Sequence, residues 1–167
     1  SGIAVLEAVG SGYDPSYCTG IKTKGDVIIN NGILLIESKS TADGGKGISA
    51  DGGIVINDGN ITISTAGDGA VYTDENGAKD SYTSCCIKSD MDITILKGSV
   101  NCISTGKGGK GISADGALII GKIDVSNNEL VINVTTSGER FYVSGSGNNA
   151  DYANPKAVKS EGNLTVN

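Results

Sequence analysis

Seven aromatic residues are the parts of this chain best suited to meet a ligand: Tyr13, Tyr17, Tyr72, Tyr82, Phe141, Tyr142 and Tyr152. All lie in three stretches, residues 9–19, 66–85 and about 137–156, or at their immediate edges. Each stretch also sets an acid near a ring: Tyr13-Asp14, Asp80 near Tyr82, and Asp151-Tyr152. Arg140, the only arginine, directly precedes Phe141-Tyr142. Flat rings with carboxylates and amides (Asn148, Asn149) beside them suit a sugar, whose faces are apolar and whose edge carries hydroxyls. The other reading is that the rings fold under their own loops as small satellite cores.

The second constellation is acidic. When repeated segments are aligned, Asp51, Asp90, Asp115 and Glu161 fall at one position, with Lys24 in the first segment. Carboxylates stacked about 5 Å apart repel, so something must compensate. Three answers are open. Lys22, Lys88 and Lys159, two positions earlier, can interleave as an ion-pair ladder; each acid can cap its own Asp-Gly-type turn; or calcium can sit between hard oxygen ligands. A third candidate is the loop 67–80, GDGAVYTDENGAKD, in which Asp68, Asp74, Asn76 and Asp80 have part of a calcium-loop spacing. It lacks the length and the closing bidentate Glu of an EF-hand. A solvated turn built on Asp and Asn is the alternative.

Composition narrows the chemistry. The 167 residues include 26 Gly, two Pro, one Phe, no Trp and no His, and the net charge is −6. Without histidine there is no Ser-His-Asp or Cys-His set. With no basic cluster, a nucleic-acid partner is not expected. No apolar run reaches membrane-spanning length. The four cysteines, Cys18, Cys85, Cys86 and Cys102, include no CxxC pair, which argues against zinc. Cys86 and Cys102 read as buried small hydrophobes, and a Cys18–Cys85 bridge would require two loops to lean together.

The elements that position these residues come from an internal repeat. The nine residues GGKGISADG occur at 44–52 and again at 108–116. Using them as an anchor, five segments align on Ile21, Ile48, Ile87, Ile112 and Val158, at spacings of 27, 39, 25 and 46 residues. Each runs from a β-branched residue through a polar turn into a short alternating strand, and most continue through an Asn/Gly-type turn into another. The anchors alternate Lys22, Ser49, Lys88, Ser113, Lys159, so the true unit is a pair of coils. No unit can bury an apolar face alone, but stacked units can. The expectation is an all-β, right-handed parallel β-helix of about five coils, 4.8 Å apart, with the long loops on one edge. One domain covers 1–167. Ser1-Gly2 read as a cloning remnant and Asn167 falls in mid-coil, so truncation is expected at the ends. Insertions on one edge of a repeat fold commonly form its binding face.

The segments 86–102, 110–120 and 156–167, with an apolar residue, K/S-S/A-D-G and then xITI, resemble the bacterial carbohydrate-binding β-helix family, whose members bind cellulose and pectin on a polysaccharide-lyase-like solenoid. The likeness covers most of residues 20–167; Met91 departs from the usual Gly. It implies a secreted or cell-surface bacterial protein, a polysaccharide partner, calcium sites with Asp51, Asp90 and Asp115 as the acidic turn residues, and no hydrolysis. The expected function is therefore non-catalytic, calcium-assisted polysaccharide binding. The alternatives are a calcium-dependent polysaccharide lyase, in which Arg140 or a lysine would be the base, and a structural adhesin or stalk whose loops bind protein. No residue pair is singled out as catalytic, and the oligomeric state is left open.

Overall fold

The computed structural model describes residues 2–10, 18–40, 43–122 and 129–167. Tyr13, Asp14 and Tyr17 lie outside the described residues. Nineteen short strands account for most of the rest. After β1 (Ile3–Gly10), the strands come in sets of three: β2 (Thr19–Thr23), β3 (Val27–Ile29), β4 (Ile33–Ser40); then β5 (Lys46–Ala50), β6 (Ile54–Ile56), β7 (Asn60–Thr65). After the hairpin β8 (Ala70–Thr73) and β9 (Lys79–Tyr82), the sets resume with β10 (Cys85–Ser89), β11 (Ile93–Ile95), β12 (Gly98–Ser104) and β13 (Lys110–Ala114), β14 (Leu118–Ile120), β15 (Leu130–Thr136). A second hairpin, β16 (Phe141–Ser144) and β17 (Asp151–Ala153), precedes β18 (Lys156–Ser160) and β19 (Leu164–Val166). The strands are rich in Ile and Val, whose branched side chains fit a pleated surface.

The sets assemble into three parallel five-stranded sheets. Sheet A is ordered β1-β4-β7-β12-β15, sheet B β2-β5-β10-β13-β18, and sheet C β3-β6-β11-β14-β19. The chain visits B, C and A in turn, and each round pairs with the next. The alignment on Ile21, Ile48, Ile87, Ile112 and Val158 is the observed register of sheet B. Both nine-residue copies flank β10, as β5 on one side and β13 on the other.

The core lies between the sheets. Ile48, Ile87 and Ile112 from B, Ile54, Ile56, Ile93, Ile95 and Leu118 from C, and Ile61, Ile63 and Val100 from A are at most 1% exposed. Each such side chain contributes about 1.5–3 kcal/mol of burial. Where sheet B faces sheet A, volume is exchanged round by round. A Cβ placed on Gly20, Gly47 or Gly111 would fall 2.4, 2.2 or 2.0 Å from Ile36, Ile63 or Val134. In the third round Cys102 takes the place of Ile63, with which it is in register. The glycine is there replaced by Cys86, and the two thiols meet. Small-plus-large thus becomes medium-plus-medium at nearly constant volume.

All four described cysteines are free thiols. Burial pushes the Cys85 thiol up to about 12, so it stays protonated and unreactive at neutral pH.

The insertions differ from plain loops. Each of the two described ones forms an antiparallel hairpin, β8 with β9 and β16 with β17. Both leave from the corner between sheets A and B, and β16 lies against β9. Buried hydroxyls floor that corner: Thr65 Oγ1 donates to Ser104 Oγ at 3.0 Å, and the Ser84 and Ser104 hydroxyls pair at 3.3 Å.

The volume exchange makes a testable statement. Cys102→Ile alone overfills the third round and is expected to cost about 1–3 kcal/mol in urea unfolding. The double variant Cys86→Gly, Cys102→Ile should recover most of that loss. Additive losses in the pair would contradict the exchange.

Candidate functional site

The hairpins carry five of the seven aromatics, and the structure divides them. Tyr82, at the end of β9, is only 7% exposed. The half-buried Phe141 ring lies over Gly69 and Gly108, where an added Cβ would meet it at 2.3 and 2.7 Å. These two rings tie the hairpins to the body of the protein, as a satellite core would. Tyr142 and Tyr152 are cross-strand partners in the second hairpin. Their rings meet edge to face at 5.8 Å between centroids, and Tyr142 remains 51% exposed. The Arg140 guanidinium sits 4.3 Å above the Tyr152 ring, a cation–π contact that engages its charge. Tyr72, on the first hairpin, packs at 6.1 Å against Tyr82 and donates its hydroxyl to Asp80 Oδ2 at 3.0 Å. The rings thus stand in two groups, Tyr142 and Tyr152 with Arg140 on the second hairpin and Tyr72 with Asp80 on the first, and the hairpins meet where β9 lies against β16.

The acids of the first insertion are held by local partners. Asp74 Oδ1 accepts from the N–H groups of Asn76 and Ala78 at 2.9 and 2.7 Å, closing the hairpin tip with Gly77 at φ 81°. This is the Asx-type turn that the sequence offers as an alternative. Asp80 Oδ1 accepts from the Ser81 N–H at 2.7 Å. Asp68 Oδ1 accepts from the Lys107 N–H at 2.8 Å, and its other oxygen lies 3.8 Å from Lys107 Nζ. Asp68, Asp74 and Asp80 thus stand at the base, tip and second strand of the hairpin.

The column of acids at the B-to-C turn is laced with lysines. Lys22 pairs with Asp51, and Lys159 with Glu161. Lys88 bridges two rounds, 2.7 Å from both Asp90 and Asp115. Burial lowers the Lys88 ammonium's affinity for its proton, but the hydrogen bonds to Asp115 and Asp90 outweigh it and leave the pKa above the ordinary lysine value. Glu161 is held below the usual carboxylate range by Lys159.

The sequence reading missed a second set of acids in the same turns. Asp26 Oδ1 accepts from the Gly53 N–H at 2.8 Å, and Asp92 Oδ1 from the Ala117 N–H at 2.7 Å. The Ser89 and Ser160 hydroxyls donate to the carbonyls of Gly52 and Gly116, both at 2.8 Å. Side chains of one round therefore satisfy the backbone of a neighbouring round, whose own residues there are Gly or Ala. The alternation of Lys and Ser anchors is the signal that could have located these acids.

Among the described residues, no group of three His, Cys, Asp or Glu side chains stands together in a way that could hold a metal ion. Also among the described residues, no helix is long and apolar enough to cross a membrane. Comparison with known proteins found no matching family model, no significantly similar curated protein and no significantly similar solved structure.

Removing Lys88 tests the ladder. Lys88→Ala leaves Asp90 and Asp115 facing each other, and a loss of about 1 kcal/mol is expected at pH 7 for so exposed a network. At about 1 M salt, where exposed charges are screened, the difference from wild type should shrink. Equal losses at low and high salt would remove repulsion as the cause.

Proposed function

We propose that this chain is a non-catalytic carbohydrate-binding protein whose ligand is a polysaccharide. The observation that carries the reading is the Tyr142–Tyr152 pair with Arg140 on the second hairpin, with Tyr142 left half exposed. Tyr142, half exposed, offers its ring at little conformational cost, and the guanidinium that covers one face of Tyr152 adds hydrogen-bond donors beside it. The scaffold that goes with this reading is a right-handed parallel β-helix of about five coils, for which the interleaved B, C, A order of the three parallel sheets is the support. Its setting would be the bacterial surface or the medium, where polysaccharide is met.

Calcium, which the family resemblance implies, is not required by this reading. Asp51, Asp90 and Asp115 already hold lysines, and Asp68, Asp74 and Asp80 are separated along the hairpin. As placed, these residues do not fit a calcium ion. The lyase alternative needs a free base, and Arg140 is stacked on Tyr152. The adhesin alternative has one observation of its own: Ile3, Val5, Val9, Ile33 and Leu35 form an outward apolar strip on sheet A, each between 38% and 72% exposed.

The test is a pull-down on insoluble plant cell-wall polysaccharides, run with calcium and with chelator. Tyr142→Ala and Tyr152→Ala are each expected to weaken retention about tenfold, or about 1.4 kcal/mol, without lowering the melting temperature. Retention should be equal in calcium and chelator. No retention of the folded wild-type protein on any of these polysaccharides would sink the proposal.

A further inference from the structure

Two cysteines on different sheets meet in the core, and each stands where neighbouring rounds carry another residue. In sheet B, Gly20, Gly47, Cys86 and Gly111 fill one place, each between the same register partners. In sheet A, Ile36, Ile63, Cys102 and Val134 fill the facing place. Of these four rounds, the third alone has cysteine at either place, and it has cysteine at both.

The backbone at this corner has the spacing of a cross-link. In the first round, a Cβ built on Gly20 would stand 3.7 Å from the Ile36 Cβ. A disulfide sets its two Cβ atoms about 3.8 Å apart. In the second and fourth rounds, a Cβ on Gly47 or Gly111 would fall 2.2 or 2.0 Å from a γ-carbon of Ile63 or Val134, the position that sulfur takes in cysteine. The third round lies between these two, and there the Cys86 and Cys102 side chains are hydrogen-bonded to each other.

The remaining cysteines are turned elsewhere. Cys85 Sγ lies 3.2 Å from the Ile87 carbonyl oxygen and 3.7 Å from that of Gly111. Cys18 Sγ donates to the Ala8 carbonyl at 3.0 Å, in the first round. Hydrogen bonding from the Cys102 thiol holds the Cys86 thiol below the ordinary cysteine value despite its burial. Cys86 is therefore the better nucleophile of the pair, and Cys85, pushed up to about 12 by burial, is a poor one.

We propose that Cys86 and Cys102 close to a disulfide when the chain folds in the presence of a small disulfide oxidant such as oxidised glutathione. The Cys86 thiolate attacks one sulfur of the oxidant, forms a mixed disulfide and releases one glutathione. The Cys102 thiolate then attacks the Cys86 sulfur and releases the second. Two protein thiols are oxidised, one glutathione disulfide is reduced, and the two protons lost by the protein end on the two glutathione thiols. In the folded protein both cysteines are at most 1% exposed, so the exchange takes place while the third round is still open. The bridge ties β10, which the first hairpin feeds, to β12, beside the Thr65 and Ser104 hydroxyls. It is independent of the carbohydrate reading. The exchange of volume between these two residues belongs to the reduced protein, and its urea comparison is made with dithiothreitol present.

Refolding from urea in mixed reduced and oxidised glutathione, followed by alkylation under denaturing conditions, tests the bridge. Alkylated cysteines should fall from the four of the reduced chain to half that number. Cleavage after lysine should release residues 80–88 linked to 98–107, with Cys85 alkylated within the linked pair. The oxidised protein should unfold at higher urea than the same sample kept in dithiothreitol, and Cys85→Ser should leave both results unchanged. Full alkylation of protein that has regained its native circular-dichroism spectrum would overturn the proposal. So would a bridge through Cys18 or Cys85, or a Cys86–Cys102 bridge that lowers the urea midpoint.

Discussion

The structure depends on one constraint: each round of chain must pair in parallel register with the next, at the spacing of a hydrogen-bonded strand. That spacing puts like positions in contact. An isoleucine meets an isoleucine, a glycine turn meets a glycine turn, and an acid meets an acid. For the apolar columns this is favourable, and Ile21, Ile48, Ile87, Ile112 and Val158 stack without further provision. For the polar columns it is a problem that the chain solves with a period of two. Lys88 reaches acids in two rounds. Asp26 and Asp92 accept from backbone N–H groups of rounds that offer only Gly53 and Ala117 in their place. Alternate rounds supply the side chains, and the rounds between supply bare backbone to receive them.

The same constraint makes the edges of the stack useful. The glycine turns between sheets C and A leave their column open as a groove, whereas the acid column between B and C is closed by lysines. At the third corner, between A and B, the chain leaves the stack to form hairpins. Those hairpins are outside the register, so their rings are free of the one-per-round rule. The buried hydroxyls of Thr65, Ser84 and Ser104 beneath them hold that corner together.

Much of the arrangement was legible in the sequence because the repeat is nearly gapless. The five anchors, the pairing of rounds and the alternation of Lys with Ser all follow from letters at fixed spacing. The replacement of Ile63 by Cys102 and of glycine by Cys86 was legible too. That the two replacements compensate one another was not, because it depends on which face of sheet B meets sheet A. The hairpins were read as loops, since their strands are short and polar and carry no alternation of apolar residues. The separate roles of the rings were also hidden: nothing in the letters tells the anchoring Tyr82 and Phe141 from the exposed Tyr142.

The central claim is that the sheets hold position while the proposed polysaccharide contact falls on the hairpins at their edge. Hydrogen–deuterium exchange of the folded protein, with and without a soluble β-glucan or xylan, tests this most directly. The account predicts added protection on the hairpins of residues 70–82 and 141–153, with β5, β10 and β13 already slow and unchanged. Protection confined to the outward face of sheet A, with none at the hairpins, would contradict it.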